Sequence, residues 1–174
     1  MPSTKFLKEH FLRIFMLSKN YQKIVKKNKY NVFLFVCHAT IPFGFAVHPW
    51  FVVVKKDKIS RWEVFFQKNM CKTSLGHLHL NALPPFKGIE ALPFCQLFYW
   101  KAGLIGHIGG GGGSAAKKMA DFEGRSKSNY PYSHTYSILG PNSNTYVQWV
   151  LDNFPESKLK LPWNSFGKYH RTKK

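Results

Sequence analysis

The sequence predicts a single α+β domain, an antiparallel sheet packed by helices, and three observations support this. The chain has 174 residues and a 44% hydrophobic fraction, enough for one buried core. Short β-branched and aromatic runs fill its middle and are separated by turn residues, which is typical of strands. Segments with helical spacing of apolar residues flank these runs, so we expect a helix from each flank against the sheet.

Residues 1–30 predict a basic amphipathic helical region. Eight lysines and arginines stand there against Glu9 alone, and the apolar residues of the first half recur at helical spacing. We expect this region to dock on the domain or to touch an anionic membrane surface. Arg13 interrupts the apolar core that a secretory signal needs, so no signal peptide is predicted. The expected location is therefore cytoplasmic or peripheral at the inner membrane.

The segment from Val32 to Val54 predicts two buried strands rather than a transmembrane helix. Histidine, proline and glycine residues divide it before it reaches the ~18 apolar residues that a span requires. We expect strands at Val32–Ala39 and Trp50–Lys55, joined by a turn. The run from Arg61 to Phe66 then returns as a third strand in an antiparallel hairpin with the second.

His77 and His79 lie in the alternating run Leu75–Leu83, where residues two apart share a face of a strand. They could bind one metal ion, but no third ligand is evident nearby, so solvent-facing histidines are the favoured interpretation. No metal or cofactor is predicted. Cys37, Cys71 and Cys95 form no CxxC pair, which argues against a disulfide framework, and Cys37 and Cys95 are expected to be buried.

The second half of the chain predicts one further strand and two helices. Leu92–Lys101 is an apolar run expected to be a strand. Gly109–Gly113 predicts a flexible loop before a helix that Ser114 caps and that ends near Ser126, although glycines before a helix can also cradle phosphate. Thr135–Leu139 suggests a short strand. Leu159–Phe166 predicts an extended arm that packs Trp163 and Phe166, and 170–174 is a basic tail after a domain at 31–169.

The stretch Gly140-Pro141-Asn142-Ser143-Asn144-Thr145-Tyr146 opens the last helix. Pro141 forces a turn, and Asn142 and Ser143 are good N-cap residues. The helix is expected to end near Asn153-Phe154 before Pro155, with Trp149 in the core. A hydroxyl and two carboxamides thus lie at a helix amino end, where backbone amides favour negative charge. A well-capped core helix explains the same residues.

The formal net charge is +18, from 26 lysines and arginines against 8 acidic residues. Only four of the basic residues are arginines, the side chain suited to bidentate recognition of bases and phosphates. The charge therefore predicts loose attraction to anionic lipid or nucleic acid, without specific nucleic-acid readout.

The segment from Tyr130-Pro131-Tyr132 through the GPNSNT stretch, with Leu161-Pro162 and Phe166-Gly167-Lys168, resembles the bacterial domain-of-unknown-function family 3750. Phe45-Ala46-Val47-His48-Pro49-Trp50 and Arg61-Trp62-Glu63-Val64 match it in the same order. The resemblance spans Val32 to Tyr169 and implies no established activity.

The order of elements is also similar to that of permuted papain-like proteins of the NlpC/P60 type. In those proteins a histidine opens a strand, a polar partner follows on the next strand, and a cysteine nucleophile opens a late helix. The resemblance implies the catalytic set His48, Glu63 and Ser143, with serine in place of cysteine, and Asn142 or Asn144 as oxyanion donors. The alternative for Glu63 is an ion pair with Arg61 or a lysine.

Two functions thus follow from the sequence. One is a papain-like hydrolase or acyltransferase relative that uses these residues. The other is a non-catalytic binding protein whose lysine-rich surface meets anionic lipid, cell-wall polymer or nucleic acid. The distance between Ser143 and His48 distinguishes the two, because catalysis requires both side chains within hydrogen-bond reach.

Overall fold

The computed structural model describes residues 29–55, 58–66, 72–92 and 95–170. Within these ranges an antiparallel sheet packs against helices, which confirms the predicted α+β class. The amino-terminal helix predicted for residues 1–30 lies outside the described residues except for its last two positions. Residues 171–174 of the predicted tail and Cys71 also lie outside them.

Six strands form the main sheet, in the order β4-β5-β3-β2-β1-β8. They are β1 (Tyr30–His38), β2 (Val47–Lys55), β3 (Lys58–Val64), β4 (Ser74–Leu75), β5 (Leu78–Leu80) and β8 (Gly103–Gly110). The strands β6 (Glu90–Leu92) and β7 (Cys95–Tyr99) form a separate antiparallel pair. The predicted hairpin of the second and third strands is confirmed, with Phe51 opposite Trp62.

The strand predicted within Leu92–Lys101 is confirmed as β7, which pairs with β6 in a hairpin that the sequence did not indicate. Two other predictions were wrong, because pairing with another strand or a local turn outweighed local sequence preference. The loop expected at Gly109–Gly113 begins only at Gly111, since Gly109 and Gly110 pair with β1 as the end of β8. Thr135–Leu139 is not a strand; the amide of Ser137 donates to the carbonyl of Pro141 in a turn.

The helices follow the sheet in the chain. They are α1 (Ala115–Gly124), α2 (Ser126–Asn129), α3 (Ser143–Asp152) and a 3₁₀ turn at Pro155–Ser157. Ser114 caps α1 as predicted, because its side chain accepts a hydrogen bond from the amide of Lys117. The predicted bounds of α3 are confirmed within a residue or two.

Side-chain alternation along the central strands produces two apolar faces. The helix face is formed by Val32, Leu34, Phe51, Val53, Trp62 and Val64, and it packs against Met119, Tyr146, Val147 and Val150 of the helices. The second face is formed by Phe33, Phe35, Trp50, Val52 and Val54. Phe86, Ile89 and Trp100 pack on the second face, and we refer to residues 81–89 as the covering loop.

Two expectations about the core need correction. Trp149 packs on the helix-face cluster but is only partly buried, because α3 turns Tyr146 and Val150 more directly toward the sheet. In the predicted arm Leu159–Phe166 the leucines pack against the core, whereas Trp163 and Phe166 are exposed. Among the described residues, no helix combines the length and apolarity needed to cross a bilayer.

Candidate functional site

His48 and Glu63 meet on the second face of the sheet. His48 lies near the start of β2, and Glu63 lies on β3 between Trp62 and Val64, which both face the helices. The Nε2 atom of His48 is 3.2 Å from Oε2 of Glu63, and both side chains are buried. One of the two hydrogen bonds that a catalytic relay requires is therefore formed.

Arg61 joins this pair, which is the ion pair considered as the alternative role of Glu63. Its Nη2 donates to Oε2 of Glu63 over 2.7 Å. Its Nη1 donates to the carbonyls of Pro84, at 2.7 Å, and Lys87 in the covering loop. The guanidinium also lies 4.2 Å from the ring centroid of Trp50. The fully buried side chain of Arg61 thus links β3 to the covering loop by hydrogen bonds.

The environment sets the protonation of this cluster. Burial alone would raise the pKa of Glu63, but the charge of Arg61 and the hydrogen bonds from His48 and Arg61 outweigh it, so the pKa is lowered. Burial lowers the pKa of His48 despite its bond to Glu63. The histidine is therefore neutral at neutral pH and donates from Nε2 to an ionised carboxylate.

Asn142, Asn144 and Thr145 lie at the amino end of α3 and hold it to three other segments. The Nδ2 atom of Asn142 donates to the carbonyls of Ile138, at 2.9 Å, and Phe166, at 3.2 Å. The Nδ2 atom of Asn144 donates to the carbonyls of Val47, at 3.1 Å, and Phe166, at 2.9 Å. Thr145 Oγ1 donates to the carbonyl of Gly167 at 2.7 Å.

The same residues form a capping box. The side-chain oxygen of Asn142 accepts from the amides of Asn144 and Thr145, and Thr145 Oγ1 accepts from the amide of Asn142. The amide of Tyr146 donates to the carbonyl of Asn142. These four amides and both carboxamide NH₂ groups therefore already have acceptors within the protein.

Two glycines permit this close packing. Gly140 has φ +108°, and an added Cβ would lie 2.9 Å from Cβ of His170 and 3.2 Å from the Cα of Gly167. Gly167 has φ +85°, and its Cβ would lie 2.6 Å from Nδ2 of Asn142. The positive φ angles and the short distances to neighbouring atoms both disfavour any residue other than glycine at these two positions. The glycines of the GPN and FGK stretches therefore serve the contact between the two loops.

Ser143 is buried at the same helix end. No hydrogen bond joins Ser143 to His48 among the described residues. The helix packs on the face of Phe51 and Val53, while His48 shares the opposite face with Trp50, two residues further along β2. The second bond of the predicted relay is thus not formed.

The histidine pair behaves differently from the prediction. His77 lies in the turn between β4 and β5, so it does not share a strand face with His79. His79 is buried rather than solvent-facing, with Nδ1 2.7 Å from Ser74 Oγ and Nε2 3.2 Å from the carbonyl of Phe65. No group of three or more potential metal ligands occurs in the described part of the chain.

A second buried acid, Glu123, was missed by sequence reasoning. It lies on α1 and accepts a short hydrogen bond from the hydroxyl of Tyr146 on α3, and that hydroxyl is 3.2 Å from Ser126 Oγ. Burial raises the pKa of Glu123 to about 8. The signal available in the sequence was an acid on the apolar face of a predicted helix, four residues after Met119 and three after Ala120.

The surface of the described residues is more basic than the composition indicates. Glu63 and Glu123 are buried, and Asp121 pairs with Lys55 and Lys117. The carboxylates classed as exposed in this part of the chain are Asp152 and Glu156. Nine basic side chains are exposed there: Lys29, Lys55, Lys58, Lys72, Lys101, Lys118, Arg125, Lys158 and Lys160. This excess of cations faces solvent.

Comparison with known proteins supports the family resemblance. A model of the family described as "Protein of unknown function (DUF3750)" matches residues 89–170, which include the GPNSNT stretch and the loop that it binds. Neither the curated proteins nor the solved structures contain a match.

Proposed function

Since residues 89–170 belong to a family of unknown function, we propose from the geometry that this domain is a non-catalytic module that binds anionic lipid surfaces peripherally. The observation that carries the proposal is the exposed charge: nine exposed cations against two exposed carboxylates in the described residues. Each lysine near an anionic leaflet contributes roughly 1 kcal/mol to binding, so a few of these side chains that reach the leaflet together would support membrane association.

The structure of the α3 amino end also favours binding over catalysis. The amides of Asn144 and Thr145 donate within the capping box, and the carboxamides of Asn142 and Asn144, the predicted oxyanion donors, donate to carbonyls of the surrounding loops. A site that must receive an oxyanion needs donors without acceptors. The polar residues of the GPNSNT stretch act instead as structural links between the helix and the surrounding loops.

Vesicle co-sedimentation tests the proposal. We expect the protein to bind vesicles of phosphatidylcholine with phosphatidylglycerol, to bind pure phosphatidylcholine much more weakly, and to lose binding as NaCl is raised. The double reversal Lys158→Glu and Lys160→Glu should weaken binding roughly tenfold or more. The single reversal Lys58→Glu, at the turn end of the β2–β3 hairpin, changes half as much charge and should weaken binding less. Equal binding to both vesicles at low salt would refute the proposal.

The predicted contribution of residues 1–30 can be measured in the same assay. Their charge predicts that they supply much of the attraction, and a chain that starts at Asn31 should then bind more weakly at equal ionic strength. Equal binding by the two chains would assign the attraction to the domain at 31–169.

Hydrolase or acyltransferase chemistry at Ser143, His48 and Glu63 is the second candidate, favoured by the bond between His48 and Glu63. The variant Ser143→Cys would introduce the better nucleophile. If the second candidate holds, this thiol reacts with iodoacetamide faster than an ordinary exposed thiol, and His48→Ala removes the advantage. Ordinary reactivity that is insensitive to His48→Ala would eliminate it.

A further inference from the structure

Six of the thirteen large apolar side chains that are exposed in the described residues, including the three most exposed, lie on the loops around the amino end of α3. We call this set the apolar patch, and it consists of Phe45, Ile138, Leu139, Trp163, Phe166 and Tyr169. Trp163 is 83% exposed, Leu139 80% and Phe45 65%. Large apolar groups that stay this accessible on neighbouring loops are typical of surfaces that bind a partner.

The contacts described above place these loops side by side. The rings of Phe45 and Phe166 are 5.8 Å apart in an edge-on arrangement. Asn164 Nδ2 donates to the carbonyl of Phe45 at 2.9 Å. The carboxamide of Asn142 donates to the carbonyls of both Ile138 and Phe166. The three loops that carry the patch are therefore in contact with one another and are hydrogen-bonded to the amino end of α3.

The chain segments that carry the patch together contain basic residues and no acidic ones. The stretches 38–54, 134–150 and 157–174 contain no aspartate or glutamate. Within the described residues the last of them contains three basic residues: Lys158, Lys160 and Lys168. Nζ of Lys168 donates to the carbonyl of Pro162 and lies 5.1 Å from the ring centroid of Tyr169, so one cation borders the patch directly.

This composition matches a lipid bilayer with an anionic headgroup layer. Tryptophan, tyrosine and phenylalanine favour the membrane interface, and lysines at its border meet the lipid phosphates. A second copy of the chain is a poor occupant, because two identical faces would bring these cations together. Single-stranded nucleic acid would use the aromatic rings but would leave Ile138 and Leu139 without a role.

We propose that the apolar patch inserts into the interface of an anionic bilayer and that the GPNSNT stretch holds the patch in its inserting form. This rests on the proposed membrane function and deepens it, since attraction by lysines alone requires no insertion. Asn142, Asn144 and Thr145 are positioning residues, and the side chains that enter the bilayer are those of the patch.

The experiment uses the full chain with vesicles of phosphatidylcholine and phosphatidylglycerol. We expect Trp163→Ala and Leu139→Ala each to reduce the partition coefficient about tenfold, the effect of losing one buried large apolar side chain. The matched control is Phe98→Ala, because Phe98 is 63% exposed but lies on β7, outside the patch. Circular dichroism and the urea midpoint identify any variant that fails to fold. If one of the two patch variants does not fold, the other still tests the proposal.

Insertion itself is read from tryptophan fluorescence. Brominated phosphatidylcholine in the vesicles should quench part of the emission, and Trp163→Phe should abolish that part while preserving most of the binding. In solution without vesicles, acrylamide should quench Trp163 readily. A Trp163 shielded from acrylamide in the monomer would show that another part of the chain covers the patch, which would overturn the inference.

Three other outcomes would overturn it. Binding of anionic vesicles that is unaffected by both patch variants would leave the proposed electrostatic function intact and remove insertion. No vesicle binding by the wild type, even at low salt, would remove both. A concentration-dependent dimer in sedimentation velocity that Trp163→Ala abolishes would assign the patch to self-association.

Discussion

The two faces of the sheet each bury a glutamate completely, and the two glutamates are in opposite protonation states. Glu63, on the second face, has Arg61 and His48 as partners, and its pKa lies below the usual value. Glu123, against the helix face, has the hydroxyl of Tyr146 as its partner, and burial raises its pKa to about 8. At neutral pH Glu63 is charged and Glu123 is a neutral acid.

The difference shows that a buried carboxyl takes its charge from its partners rather than from its depth. The sign of its pH dependence follows. The lowered pKa values of Glu63 and His48 contribute stability that is lost as the pH falls below their ordinary values of 4.5 and 6.5. The raised pKa of Glu123 contributes stability that is present below pH 4.5 and lost as the pH rises through about 8. Acid therefore destabilises one face and alkali the other.

The largest expected change in stability comes from Glu123, which packs against the helix face. A shift of the pKa of Glu123 from 4.5 to about 8 corresponds to roughly 5 kcal/mol. We expect the unfolding free energy of Glu123→Gln to gain about this amount relative to wild type between about pH 4 and about pH 9. Urea unfolding followed by far-ultraviolet circular dichroism at intervals of one pH unit measures it.

Asp121→Asn is the control for that series, since Asp121 is on the same helix but half-exposed and paired with Lys55 and Lys117. It should show no alkaline gain. If the difference between Glu123→Gln and wild type stays constant from acid to alkali, Glu123 is not a neutral acid in the folded protein.

The second prediction isolates the opposite face. Arg61→Met would leave the charge of Glu63 buried without its cation, which costs roughly 3–5 kcal/mol of unfolding free energy. The double variant Arg61→Met with Glu63→Leu should recover a large part, because the isolated charge is gone. Urea unfolding near neutral pH compares the three proteins.

The recovery matters more than the loss. If Arg61 acts only through its bonds to the carbonyls of Pro84 and Lys87, the double variant will be no more stable than Arg61→Met. That result would show that the covering loop, rather than the carboxylate, is what the guanidinium stabilises.

The elements of the fold that were predictable are those whose signal is local. The alternating runs of β1 to β3 and the caps and periodicity of α1 and α3 are each contained in about ten residues. The glycine-rich β8 was missed because its strand character comes from pairing with β1, about 70 residues away in the chain. Similarly, the exposure of Trp163 depends on loops that meet only after folding.

The sequence indicated which residues could form the site, but only part of the contacts between those residues. The contact of His48 with Glu63 followed from two adjacent strands, and it formed. The helix that carries Ser143 could pack on either face of the sheet. The face depends on how the chain leaves β8, and the spacing of residues in the sequence does not determine this. The partners of the carboxamides of Asn142 and Asn144 are carbonyls from distant loops for the same reason.

A third, smaller effect concerns the residue that joins α3 to the loops. Asn142→Ala should cost about 2 kcal/mol, at the upper end for an N-cap, because it also removes the donor to Ile138 and Phe166. Asn142→Asp keeps the capping oxygen but places an acceptor against those carbonyls. Both variants should weaken vesicle binding, and α3 should persist in Asn142→Asp by circular dichroism. Unchanged binding in both would separate the motif from the apolar patch.

The smallest expected effect comes from the other helix cap on the same face. Ser114 caps α1 by accepting from the amide of Lys117, and its hydroxyl donates to the carbonyl of Gly111 at 2.7 Å, so its contacts stay within four residues of itself. Ser114→Ala should therefore cost about 1 kcal/mol of unfolding free energy, as an ordinary cap does, and should leave vesicle binding unchanged. Asn142 caps a helix equally but reaches two loops, so only its loss should affect the patch. If Ser114→Ala reduces binding as much as Asn142→Ala, general loss of helix stability explains both, and the GPNSNT stretch has no special role in holding the loops.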